Sequence, residues 1–70
     1  MINREIAEPL MSQLLAMSAP LNRATELSQK IVEKDEREQF RKGIGEIMNI
    51  IYLQLMNPII KQHPDLDPDN

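Results

Sequence analysis

Residues 40–60, FRKGIGEIMNIIYLQLMNPII, decide the fold, because they carry more apolar side chains than one neighbouring helix can cover. At helical pitch Phe40, Ile44, Ile47, Met48, Ile51 and Leu55 share a face, which Tyr52 and Met56 widen, while Ile50 and Leu53 fall outside it. A surface helix normally sets one apolar stripe against a polar face, yet here only Glu46, Asn49, Gln54 and Asn57 interrupt the apolar cylinder. Those four polar residues argue against a membrane span, although the stretch approaches the roughly 20 residues that a bilayer requires. The excess calls for a second packing partner.

Upstream, Leu10, Leu14, Met17, Leu21, Ala24, Ser28 and Ile31 recur alternately four and three apart, the pattern of a helical seam. Asn3 is placed to cap a turn beginning at Arg4, but Pro9 suits the first position of a helix, so ordered helix is expected from there. Pro20 removes a hydrogen bond to the Ala16 carbonyl. Because the seam keeps its phase across it, the sequence predicts one helix over about 9–34, kinked near Pro20; the alternative is a break with Ser18 as a new cap. Lys30 and Lys34 fall in the last turn of that helix, where cations suit the dipole, and Glu26 with Lys30 forms a favourable pair four apart.

No Gly or Pro separates Val32 from Phe40, so a turn is inferred from phase. A continuous helix would aim Phe40 and Ile44 away from the first seam. Asp35 followed by Glu38 matches a capping box, which sets the connection at Lys34 and Asp35 and a second helix over about 35–57, with a further turn to 62 beyond Asn57-Pro58. A turn at Gly43 to Gly45 is the rival. Inside a helix each of those glycines costs about 1 kcal/mol against alanine, and Gly45 would let another backbone approach beside Met48 and Tyr52. The expected domain is thus a single antiparallel helical hairpin over 1–62, followed by an acidic disordered tail, HPDLDPDN, at 63–70.

Composition narrows the function classes. Seventy residues without cysteine exclude disulfides and thiolate zinc sites, which leaves oligomerisation as the usual stabiliser of so small a chain. A cysteine-free chain whose opening is broken by Arg4, Glu5 and Glu8 is expected in the cytoplasm, without a secretory signal. A net charge of −3 and two aromatic residues count against nucleic-acid binding. Asp65, Asp67 and Asp69 alternate like the first ligands of a calcium loop, but the turn glycine and the closing acidic ligand are missing, so no metal is expected. His63 is the only histidine, the serines of the first seam have no base within reach of the core, and Glu46 projects to the polar side beside Asn49. Arg37, Arg41 and Lys42 are interleaved with Glu36, Glu38 and Glu46 as a balanced solvated face. No enzyme, no cofactor and no membrane partner are predicted.

Two helices form one layer and cannot enclose a core. The expected assembly is therefore a homodimeric four-helix bundle of two hairpins. Its hairpin core would be Leu10, Leu14, Met17, Leu21, Ala24, Ile31, Phe40, Ile44, Ile47, Met48, Ile51 and Leu55. Its contact with the second chain would use Met11, Leu15, Gly45, Tyr52 and Met56. The function expected is a small non-catalytic protein-protein interaction module. The alternatives are one half of a heteromeric complex, such as a chaperone-like or antitoxin-like pair, and, less favoured, a small-molecule or nucleic-acid binder.

Overall fold

A computed structural model describes residues 1–69, all helix, turn and coil without a strand among them. Helix α1 spans Arg4–Ala16, α2 Ser18–Ser28 and α3 Lys34–Ile50; a π-helical segment, Ile51–Met56, leads into α4, Asn57–Gln62, and a 3₁₀ turn, Pro64–Leu66, follows. The first two helices make one arm of a hairpin, and α3 with its π-helical and α4 continuation makes the other.

The first arm starts earlier than Pro9 and ends before Lys34. Ile6 and Ala7 donate their N–H groups to the Asn3 carbonyl, so helix is already formed at Arg4, and Pro9 lies inside it. Asn3 occupies the cap position without a side-chain hydrogen bond. The arm is divided rather than kinked, and the division falls at Met17, three residues before Pro20. A proline ring crowds the carbonyl four residues back, which here belongs to Ala16. The chain steps around that clash by tightening one turn, with Met17 N–H donating to Leu14 at 3.2 Å. Ser18 does not cap the new helix; its hydroxyl donates backwards to the Leu15 carbonyl at 2.8 Å.

The turn also moves. Lys30 N–H donates to Leu27 and Ile31 N–H to Ser28, three-residue spacings that wind α2 down. The cap of α3 is Glu33 rather than Asp35: its carboxylate accepts from the N–H groups of Asp35 at 3.1 Å and Glu36 at 2.9 Å. A carboxylate there also meets the positive end of the α3 dipole. Lys34 consequently opens α3 instead of closing the preceding helix, and Glu26 is held by Arg23, Nη1 to Oε2 3.4 Å, rather than by Lys30.

The π-helical segment has a cause in Pro58. Proline cannot donate to the carbonyl four residues back, Gln54, and its ring presses on it. Wider winding moves that carbonyl aside, and Asn57 N–H reaches five residues back, to Tyr52. In such winding a residue and the fifth after it take the relation that a residue and the fourth hold in an α-helix. Met56, five after Ile51, is therefore 8% exposed, whereas Leu55, the expected core residue, is 47% exposed.

Buried apolar side chains are Ala7, Met11, Leu14, Ile51, Met56 and Ile59, with Ile2, Leu21, Ile60 and Leu66 packed against them. All six buried residues lie in α1, the π-helical segment and α4, at the end of the hairpin that holds both termini. Leu14 and Ile51 stand in the expected core. Leu21, Ala24, Ile31, Ile44 and Met48 are half-buried, and Leu10, Met17, Phe40, Ile47 and Leu55 are exposed. The buried seam of α1 runs through Ala7, Met11 and Leu14, one position round from Leu10, and packs on the π-helical segment, in one cluster with Ile51, Met56 and Ile59.

The expected disordered tail is folded back on the N-terminus as far as the described residues go; its last residue, Asn70, lies outside them. Ile2 N–H donates to Gln62 Oε1 at 2.6 Å, and His63 Nε2 lies 2.9 Å from the Ile2 carbonyl, to which it must donate because a carbonyl only accepts. Arg4 holds Asp65 through both guanidinium Nη atoms and Glu8 through Nε at 3.0 Å. Leu66 then covers the edge of the core.

Candidate interaction surface

The hairpin is a rod of 46 × 19 × 16 Å with a radius of gyration of 14.8 Å, against about 11 Å for a compact 70-residue domain. Its accessible surface of 5369 Å² exceeds the about 4500 Å² expected for a folded monomer of this mass. Large apolar side chains are among what this elongated shape exposes. Ile6, Leu27, Phe40, Ile47, Tyr52 and Leu53 are each about half exposed, and α3 contains no buried residue at all.

The candidate contacts divide. Met11, 2% exposed, and Met56 are core side chains facing this chain's own helices, so neither is available to a partner. Leu15, Gly45 and Tyr52 are exposed. An alanine Cβ at Gly43 or Gly45 would meet nothing within 4 Å, so neither glycine serves a close approach within the chain. What the sequence reading missed is the face between α2 and α3. There Phe40 stands as a ridge, 56% exposed, between two open depressions. One, of about 550 Å³, is lined by Ala24, Gly43, Ile44 and Ile47 with Glu36 and Gln39 at its rim; the other, of about 310 Å³, by Leu27, Ser28 and Ile31. The sequence signal was present: Phe40, Gly43, Ile44 and Ile47 share one helical stripe. A smaller apolar cavity of about 160 Å³ lies under the α1–α2 division, between Leu14, Leu21, Met48 and Ile51.

The polar groups are occupied locally. Ser28, the one buried polar residue among the described residues, donates its hydroxyl to the Thr25 carbonyl at 2.7 Å, and Thr25 donates to Leu21 at 3.0 Å. Arg37 Nη1 donates to the Ile31 carbonyl at 3.3 Å, covering the end of α2. Glu46 is exposed. Among the described residues no three His, Asp or Glu side chains come together as a metal site, and no helix is long and apolar enough to cross a membrane. The titration shifts belong to the terminal clasp. The hydrogen bond from Arg4 holds the Asp65 carboxyl below the usual carboxylate range, and Asp65, then Glu8, raise the Arg4 guanidinium. Both side chains of that ion pair are about half exposed, so it fixes geometry more than it stabilises.

Compared with protein-family models, curated proteins and solved structures, the chain matches none of them.

Proposed function

We propose that this chain is a small non-catalytic protein-protein interaction module that works as an obligate homodimer, two hairpins forming a four-helix bundle. The observation carrying the reading is the half of the hairpin made by α2 and α3, two helices that pack along each other while Phe40, Ile47 and Leu27 remain in solvent. Covering a large apolar side chain contributes roughly 1.5–3 kcal/mol, so a few such residues match the whole stability of a small domain. Leu15 and Tyr52 continue the apolar surface towards the other end. A chain without cysteine suits a reducing compartment such as the cytoplasm, and a net charge of −3 counts against nucleic acid as the partner.

Sedimentation equilibrium of the purified chain tests this. A mass of twice 8.1 kDa at micromolar concentration is expected. A well-folded 8.1 kDa monomer contradicts it, and a chain that aggregates alone but becomes monodisperse with a different polypeptide favours the heteromeric pair.

A further inference from the structure

We infer that the second copy docks on the α2–α3 face with its α3 antiparallel to the first, Phe40 of each chain seated over Gly43 of the other. This rests on the reading that the chain associates with itself, and adds where and how.

Three observations carry it. Gly43 stands mid-helix in α3, where glycine is the poorest residue after proline, and no atom of its own chain comes within 4 Å of the position a Cβ would take. The same is true of Gly45, but only Gly43 lines the depression beside Phe40, where the open space can receive a partner's side chain. Gly43 also lines the larger depression, immediately beside Phe40, the largest exposed side chain of the face. Ridge and gap are three residues apart on one stripe. A two-fold axis crossing α3 between them brings each phenyl ring onto the partner's glycine, the self-complementary relation that a symmetric dimer requires. Registers shifted towards the C-terminus of α3 would set Phe40 against the branched Ile44 or Ile47, and those shifted the other way against the partner's own Phe40 or Glu36.

The area agrees. Each chain exposes about 900 Å² more than a compact monomer of its mass, close to the about 800 Å² that each partner buries in a standard interface. The lining combines apolar Ala24, Ile44 and Ile47 with polar Glu36 and Gln39, the mixture of an interface.

The test compares the dissociation constants of the intact chain, Phe40→Ala, Gly43→Leu and, as a control at an exposed apolar residue that lines neither depression, Leu53→Ala. Helix content is followed by circular dichroism in each. Phe40→Ala and Gly43→Leu should each weaken the dimer at least tenfold, and Leu53→Ala should change it less than threefold. Gly43→Leu is the stringent arm, since within one chain it enters open space and favours helix. If it leaves the dimer as tight as before, or tighter, the docking mode is wrong while self-association stands; a monomeric parent chain removes both. Because the chain has no cysteine, mixing a Phe40→Cys chain with a Gly43→Cys chain gives a second reading. A disulfide between the two different chains, formed faster than in either variant alone, is expected, and equal rates overturn the register.

Discussion

At the terminal end of the hairpin, Ala7, Met11 and Leu14 meet Ile51, Met56 and Ile59, while Ile2 and Leu66 close over the margin. At the turn end, α2 and α3 lie along each other over a similar length and bury one side chain, Ser28. Both ends are rich in aliphatic residues, so composition does not separate them. The number of elements does. The terminal end gathers two helices, a π-helical turn, an N-terminal segment and a 3₁₀ turn, enough to wrap a core from several sides, whereas the turn end has a single layer. A layer that cannot wrap itself leaves its apolar residues exposed, and those form the surface proposed for association.

The contrast can be broken most forcefully at Ile59. Ile59→Ala should cost about 2–5 kcal/mol in urea unfolding at every chain concentration, because it empties a fully enclosed site, while the loss from Phe40→Ala should fall on association and grow as the chain is diluted. Equal losses would mean that the two ends are packed alike. Next comes the π-helical register: Met56→Ala should cost about 2–4 kcal/mol, well above Leu55→Ala, and uninterrupted α-winding would reverse that order. At the turn, Glu33→Ala should cost about 1 kcal/mol through the two N–H groups it leaves without a cap, with amide exchange faster at Asp35 and Glu36.

The smallest effect sharpens the terminal end. Asp65 is held below its ordinary pKa near 3.8 by Arg4, so its contribution is fully present above that value and is lost as pH falls through the lowered folded value. Thermal scans between pH 6 and pH 2 should therefore show an acid decline that Asp65→Asn makes shallower. Amides of residues 2–4 should loosen first on that decline.

Periodicity made the all-helical hairpin legible, because the four-three spacing of Leu14, Leu21 and Ser28 survives the break at Met17. What it left hidden depends on interactions without a local signature. The break falls at Met17 because the carbonyl that Pro20 crowds lies four residues upstream, so the proline marks the cause and not the place. Pro58 announced an interruption, but whether the helix stops, kinks or widens to five-residue winding, which exchanges Leu55 for Met56 in the core, has no signature in the local pattern. The terminal clasp joins residues about sixty apart, and no pattern within a segment encodes that Gln62, His63 and Asp65 will meet Ile2 and Arg4. For the candidate surface, an apolar excess was readable; its location was not. Met11 and Met56 look like margin residues on ideal helical wheels, and the shifted starting point of α1 and the π-helical turn bring both inside.

The central claim is that a second chain completes the turn end while the terminal end completes itself. Amide hydrogen exchange, followed by mass spectrometry as the dimer is diluted from micromolar concentration until it dissociates, tests it segment by segment. Protection should be lost first and most at residues 24–47, with Ala7, Met11 and Ile59 losing it later. Protection that is the same in dimer and dissociated chain, or losses confined to the terminal core, would contradict it.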